Sequence, residues 1–266
     1  MGAAEARGRG RAARPAADAW LRLAGGALLP AAILLAWQLA SASGAFTPSQ
    51  LPSPAMVVGG VGDLAGRGLL GESIGISVQR VFAGFAMGAA LGIGLGAVVG
   101  LSPLWSVLLG PTLGAVRSVP SLAWVPLLLL WFGIFEPPKL ILITIGAFFP
   151  VFTTVSGGLR HVDRQLVEAG RAFGYSGPRL LAAIQLPGVL PAVVSGLRLG
   201  LAQAWLFLVA AELIAASKGL GFILIDSQNN GRTDRMFVAI ILLAVLGKLT
   251  DALVGLFERW AVRRWA

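Results

Sequence analysis

Residues 73–101 read SIGISVQRVFAGFAMGAALGIGLGAVVGL, a long apolar run in which Arg80 is the single charged residue. A membrane-spanning helix needs about 20 apolar residues, so this run is long enough to cross a bilayer. Because glycine destabilises a helix, a row of glycines on one face indicates that another helix packs closely there. The row consists of Gly84, Gly88, Gly92, Gly96 and Gly100, and Gly196, Gly200 and Ala204 repeat the pattern later.

The composition indicates an integral membrane protein. Hydrophobic residues make up 56% of the chain and charged residues 12%, with a mean hydropathy of +0.82. Soluble domains carry about 25% charged residues. In a membrane protein the net charge of +9 reflects loops retained in the cytoplasm, and we do not read it as a nucleic-acid signal. The chain has no cysteine, which excludes thiol catalysis, cysteine metal sites and disulfides.

Hydropathy predicts an all-α membrane protein with about six transmembrane helices. The third segment contains three prolines and is either one kinked span or a re-entrant segment followed by a span. The predicted spans are Leu23–Ala40, Ser73–Leu101, Ser106–Phe135, Leu140–Gly158, Val189–Ala216 and Met236–Phe257.

The spans divide the chain into four parts. We predict a disordered cytoplasmic tail at 1–22, a first transmembrane helix and periplasmic loop at 23–72, a permease core at 73–257 and a cytoplasmic tail at 258–266. The stretch Phe46–Gly71, with three prolines, is predicted to be a loop. The first apolar run is alternatively a signal sequence, because small residues follow it.

Arginine and lysine predict the orientation of the chain. They are more frequent in the segments on the side of the N-terminus than in those on the other side. By the positive-inside rule, both termini are cytoplasmic. The polar stretch 159–188 then lies in the cytoplasm between the fourth and fifth spans.

The stretch 159–188 is predicted to form two short helices. Asp163 is a suitable N-cap for a helix from Arg164 to Phe173, and Gly174 is a suitable C-cap. A second helix begins at Gly177–Pro178, because proline suits the first turn. Its apolar face consists of Leu180, Leu181 and Ile184, and we expect Pro187 and Pro191 to break it before the fifth span.

Such a segment presents apolar side chains beside charges, which suits the binding of a soluble partner. The exposed apolar residues are predicted to be Leu166, Phe173 and Tyr175. The alternative is a well-ordered loop without a partner.

Within this segment the sequence resembles the "EAA…G…I-x-LP" signature of binding-protein-dependent ABC transporter permeases. The matching residues are Glu168, Ala169, Gly170, Gly174, Ile184, Leu186 and Pro187. Gly170 stands where the signature has a second alanine. Four further stretches are similar to the aliphatic-sulfonate branch, which has nitrate, taurine and bicarbonate relatives: LPSP at 51–54, RSVPSLAWVPLLLLWFGI at 117–134, ELIAASKGLGF at 212–222 and AIILLAVLGKLTD at 239–251.

The resemblance implies the type I ABC importer permease fold and a permease homodimer in the bacterial inner membrane, surrounded by lipid. It implies that the 159–188 segment is a coupling loop that docks in a groove of a cytoplasmic ATPase subunit, and that the complex contains two such subunits, which bind ATP and Mg. It also implies a periplasmic binding protein, which is expected to deliver the substrate and largely to determine which anion is carried. The transported anion stays open among sulfonates, taurine, nitrate and related anions.

Catalytic motifs are missing from the sequence. It contains no P-loop pattern, and His161 is the single histidine, so two-histidine metal motifs are impossible. We therefore predict a permease subunit without enzyme activity, metal or cofactor of its own. The alternatives are a secondary transporter or channel for a small anion, in which internal repeats and ionisable sites are usual, and a membrane enzyme with a signal sequence. We find no internal repeat.

Basic residues within the spans suggest a pathway for anions. The basic residues are Arg80, Arg117, Arg198 and Lys248, whereas the acidic ones are Glu212 and Asp251, of which Asp251 can pair with Lys248. Arg117 and Arg198 are predicted at similar depth, where they could form one cationic layer that binds an oxyanion. Alternatively, these two arginines cap carbonyls freed by prolines or reach the lipid headgroups.

Overall fold

The computed structural model describes residues 15–265, and for 15–25, 27, 215 and 260–265 it describes the backbone alone. Over this part the chain is helical without a strand, which confirms the all-α prediction. The helices are α1 (Pro15–Ala42), α2 (Pro54–Gly66), α3 (Leu69–Leu101), α4 (Pro103–Ser118), α5 (Val125–Phe132), α6 (Glu136–Arg160), α7 (Arg164–Ala172), α8 (Gly177–Leu180), α9 (Leu186–Ala215), α10 (Leu220–Asn229) and α11 (Thr233–Trp265). We call the end of the bundle that carries α7 the α7 end, and the opposite end, which carries α10, the α10 end.

Helix α6 is the centre of the bundle. It makes its most extensive contacts with α3 on one side and α9 on the other. Its residues Ile143, Ala147 and Val151 are completely buried between them. A second apolar cluster lies at the α10 end, where α2, α10 and α11 bury Leu64, Leu220 and their neighbours.

The glycine row of α3 is the surface that packs on α6, as the sequence predicts. A Cβ atom built on Gly84 would lie 2.6 Å from Cγ2 of Ile143, and one built on Gly92 would lie 2.9 Å from Cβ of Val151. Gly88, Gly96 and Gly100 are equally close to α6, and Gly200 of α9 also lies against it. The two seams let three helix backbones approach more closely than larger side chains would allow.

The number of spans is four or five over the described residues. Four helices are long and apolar enough to cross a membrane: Leu69–Leu101, Glu136–Arg160, Gly177–Ile214 and Thr233–Arg259. A fifth crossing results if α4 and the segment that follows it form one broken span. In α1 the stretch Leu28–Ala42 is a shorter apolar helix, so the predicted six spans are an approximate count.

The third predicted span is sharply broken. Its two helical halves, Pro103–Ser118 and Ser121–Phe132, differ in direction by 87°. Val119 between them is extended because the residue before a proline, here Pro120, disfavours the helical region. A 3-10 turn, Ser121–Trp124, then leads into α5.

Several predicted boundaries differ from the structure. The predicted loop Phe46–Gly71 contains α2, which begins where Ser53 accepts a hydrogen bond from the Met56 N–H and Pro54 occupies the first turn. Helix α1 begins at Pro15, within the predicted tail, and residues 1–14 of that tail lie outside the described part. Helix α11 continues beyond the predicted end of the last span to Trp265.

The prolines at 187 and 191 do not break the helix that leads into the fifth span. A π-helical turn, Leu181–Gln185, joins α8 to α9, and the Leu186 N–H donates to the Leu181 carbonyl. Pro187 falls in the first turn of α9, where a missing N–H costs little, and the π turn absorbs the change of register. The chain from Gly177 to Ile214 is therefore one continuous apolar helical segment.

Candidate functional site

The polar segment between α6 and α9 begins with a capped helix. The Asp163 carboxylate accepts a hydrogen bond of 2.8 Å from the Gln165 N–H and starts α7 at Arg164. Arg164 and Glu168 form an exposed ion pair of 2.8 Å one turn apart. The predicted N-cap is confirmed.

Helix α7 ends in the left-handed glycine cap that the sequence predicts. Gly174 has φ +83°. Its N–H donates to the Arg171 carbonyl at 2.9 Å, and the Tyr175 N–H donates to the Gly170 carbonyl at 3.0 Å. These are the two hydrogen bonds of a Schellman motif, which reverses the chain within two residues.

Gly170 is the point where α7 contacts the following helix. It is buried, and a Cβ built on it would lie 2.9 Å from Cδ1 of Leu180 and 3.1 Å from Cγ1 of Ile184. Leu180 is 6% exposed. Since the contacting atoms are ends of flexible side chains, an alanine would fit after a small shift. The signature thus needs a small residue here to fix the angle between α7 and α8.

The outer surface of the segment combines apolar and charged side chains. Leu166, Phe173 and Tyr175 are 55%, 84% and 40% exposed. Glu168 and Ala169 are exposed beside them. Leu186 is also exposed, whereas Ile184 and Pro187 are half-buried. The signature residues therefore divide into a group that fixes the turn and a group that is free to contact another protein.

A buried ionic cluster lies at the α10 end, centred on Glu212, whose side chain is completely buried. Its carboxylate accepts hydrogen bonds from Ser77 at 2.9 Å, from Arg80 at 2.7 Å and from the Gly221 N–H at 2.8 Å. Arg80 also donates to Glu136 at 2.6 and 2.8 Å. The cluster joins α3, α6, α9 and α10.

The Glu212 cluster was not predicted from the sequence. The basic and acidic residues were visible, but their partners are more than 50 positions apart along the chain. The structure shows that Arg80 is neutralised by two carboxylates, so it does not add to an excess of positive charge in the spans.

Arg198 is also paired, which corrects the expectation of a cationic layer with Arg117. Its guanidinium donates to both carboxylate oxygens of Asp251, at 2.6 and 3.0 Å, and to Glu258 at 3.0 Å. Lys248 is 3.8 Å from Asp251, so the predicted Lys248 pair is secondary to the Arg198 pair. Gly255 leaves room for the guanidinium against α11. Arg198 therefore joins α9 to α11.

Arg117 occupies a different place, beside a cavity of about 390 Å³ between α4, α6 and α9. Its guanidinium donates to the Thr153 hydroxyl at 3.3 Å. Arg198 does not line this cavity and binds acidic residues of α11 instead. The residues that line the cavity are Arg117, Ile145, Gly146, Phe149, Pro150, Thr153, Thr154, Leu199 and Gln203.

A smaller ionic cluster at the α10 end fixes α2 against the start of α11. Asp63 pairs with Arg67 at 2.9 Å, with Arg232 at 3.3 Å and with Arg235. Partial burial acts to raise the pKa of Asp63, but the hydrogen bonds and charges of Arg67 and Arg235 outweigh it and hold this pKa below its ordinary value. Asp63 is thus a charged anchor for α2.

Among the residues that the structure describes, no group of three or more histidine, cysteine, aspartate or glutamate side chains could hold a metal ion. His161 follows α6, is exposed and contacts the Gly157 carbonyl at 2.8 Å. It has no catalytic partner among the described side chains.

A helical bundle with a polar two-helix segment between two candidate spans agrees with the permease fold that the sequence resemblance implies. In agreement, the family model "Binding-protein-dependent transport system inner membrane component" matches residues 88–263. The chain belongs to this family, the membrane-spanning permease subunits of ABC importers.

Two curated relatives are similar over most of the chain. The "Putative aliphatic sulfonates transport permease protein SsuC" of Bacillus subtilis (strain 168) is 40% identical over 240 residues, 90% of this chain and 86% of that protein. The protein of the same description from Escherichia coli (strain K12) is 41% identical over 244 residues, 92% of this chain and 93% of that one.

A solved structure confirms the fold. A chain of the MetNI methionine ABC transporter, in an inward-facing conformation, superposes with a TM-score of 0.64 over 73% of this chain and 96% of that chain. The sequences are 19% identical, so this likeness concerns the fold alone.

Proposed function

We propose that this chain is the permease subunit of an inner-membrane importer for alkanesulfonates, and that two copies work with two ATPase subunits and a periplasmic binding protein. The chain itself supplies the membrane path and no catalytic group. ATP and Mg belong to the partner ATPase. Both termini and the 159–188 segment face the cytoplasm.

The 159–188 segment carries this proposal. Glu168, Ala169, Leu166 and Phe173 form a small exposed surface that an ATPase subunit can contact. The Schellman turn at Gly174 and the Gly170 contact hold that surface at one angle to α8. Since α8 continues through the π turn into α9, a displacement of the segment is transmitted along a span.

The substrate class is supported by the relatives. Both are described as permeases for aliphatic sulfonates and match the chain almost from end to end. Because these importers receive their substrate from a binding protein, the identity of the sulfonate depends on that partner as well as on this chain.

The proposal is tested by uptake into proteoliposomes that contain the permease, its ATPase and the binding protein. We expect accumulation of a labelled alkanesulfonate when ATP and Mg are available to the ATPase. Replacing ATP by an imposed proton or sodium gradient should give no uptake. Gradient-driven uptake without the ATPase would show a secondary transporter instead.

A further inference from the structure

The cavity beside Arg117 is an open groove along α6, at which the side chains of Arg117, Thr153, Leu199 and Gln203 are exposed. Counting about 1.5 Å per residue, Thr153 lies roughly 10 Å along α6 from its end at Arg160. The cavity therefore opens on the surface of the bundle about two helical turns from the α7 end, between α4, α6 and α9. Its volume of about 390 Å³ falls in the ~300–1,000 Å³ range of sites for small molecules.

The charge of Arg117 is not compensated by a carboxylate among the described residues. Arg80 pairs with Glu136 and Glu212, and Arg198 pairs with Asp251 and Glu258. Arg117 makes a hydrogen bond to a neutral hydroxyl, that of Thr153. A charged side chain inside a membrane protein is costly and is usually retained for a function.

The hydrogen bonding around Arg117 leaves its guanidinium able to bind an anion. The Thr153 hydroxyl donates its own proton to the Phe149 carbonyl at 2.7 Å, so it can act as an acceptor for Arg117. A guanidinium has five N–H donors, and one suffices for this contact. The others form the fork that recognises two oxygens of an oxyanion.

The rest of the cavity is largely apolar. Ile145, Phe149, Pro150 and Leu199 form one wall, and Gln203 adds an amide. A cation beside a hydrocarbon wall is complementary to an anion with a hydrocarbon chain. A small inorganic anion would contact Arg117 but leave the wall without a partner.

We propose that this cavity binds a monoanion with a short alkyl chain, its anionic head on Arg117 and its chain against the wall of Phe149 and Leu199. The inference rests on the proposed function in taking this anion to be the transported sulfonate. It assigns to the permease a selectivity for the alkyl chain in addition to that of the binding protein.

Protection of an introduced cysteine tests binding without relying on transport. The natural chain has no cysteine, so Gln203→Cys places one thiol in the cavity, and Gln228→Cys, exposed at the α10 end, is the control. Labelling by a neutral maleimide is measured on the permease–ATPase complex in phosphatidylcholine nanodiscs. Leu199→Cys, on the same wall, is measured in parallel.

We expect butanesulfonate to slow labelling at position 203 and not at position 228. Sulfate and butanol should give no protection, and each added methylene should lower the protecting concentration by up to about fourfold. Arg117→Gln should abolish protection, and Arg117→Lys should restore part of it.

Two results would overturn the site. In one, positions 199 and 203 label at the same rate with and without butanesulfonate, although the same complex imports butanesulfonate in proteoliposomes with the binding protein. In the other, adding phosphatidylglycerol to the nanodiscs protects both positions as fully, which would make the cavity a lipid site. Failure of the proposed function looks different, because wild-type proteoliposomes would then import no sulfonate whether or not the cavity binds one.

Discussion

At the scale of single residues, Gly174 has a left-handed backbone conformation that favours glycine. Its φ of +83° costs an L-residue about 1–2 kcal/mol, and a β-branched one more. We predict that Gly174→Val weakens association with the ATPase by about fivefold to thirtyfold, the equivalent of that cost. The measurement is ATPase retained by the tagged permease at increasing dilution.

Gly188→Val is the matched control for this prediction. Gly188 lies in the same segment, has no neighbour within 4 Å of a built Cβ and has no positive φ. It should bind the ATPase like the wild type. Equal retention of the ATPase by both variants would contradict a role for the turn in docking.

The sequence predicted well those residues of the site whose contacts lie within a few positions along the chain. Asp163, Gly170 and Gly174 act through neighbours a few positions away, so their patterns are visible in the printed sequence. The predicted helix break at Pro187 was wrong because, in a sequence, a proline in the first turn of a helix cannot be distinguished from a proline that ends one. The π turn that separates the two cases has no simple sequence pattern. The partners of Arg80 and Arg198 were not predictable, because each pair depends on how distant helices pack.

At the scale of helices, the α3–α6 seam depends on glycines that leave no room for a larger side chain. A Cβ on Gly92 would lie 2.9 Å from Cβ of Val151 and 3.0 Å from the Phe148 carbonyl, and neither atom can move freely. We predict that Gly92→Leu lowers the melting temperature and the yield of folded permease, because overpacking costs about 1–3 kcal/mol. Gly94→Leu, with no atom within 4 Å of a built Cβ, should stay near the wild type. Similar losses in both variants would mean that glycine content matters and the seam does not.

The contact between α9 and α11 gives a second prediction at this scale. Arg198→Gln removes the cation that Asp251 and Glu258 share, and leaves Asp251 with Lys248 at 3.8 Å as its remaining partner. We expect a lower melting temperature, by about 2–4 °C per kcal/mol lost, and partial recovery in Arg198→Gln with Asp251→Asn. Uptake per folded complex should remain near the wild-type rate. An unchanged melting temperature with lost uptake would instead favour the pathway role that the sequence suggested for Arg198.

At the scale of the whole molecule, the orientation in the membrane is open to direct measurement. Gln165→Cys and Arg179→Cys, both exposed near α7, should react with an impermeant maleimide from the cytoplasmic side alone. Gly62→Cys and Gln228→Cys, exposed near α2 and α10, should react from the periplasmic side alone. The neighbouring Gly60 is unsuitable because it is buried against Asp234. Periplasmic labelling at position 165 would reverse the orientation.

The central claim is that the surface of α7 receives the ATPase subunit, and a photo-crosslinker in place of Phe173 tests it most directly. Phe173 is 84% exposed, and a benzophenone amino acid there keeps an aromatic ring at the same position. Phe135, 73% exposed at the start of α6, carries the same group as a control. We predict that illumination of the assembled complex joins position 173, and not position 135, to the ATPase subunit. The account is contradicted if position 173 crosslinks to the binding protein, or to no partner while the ATPase remains bound.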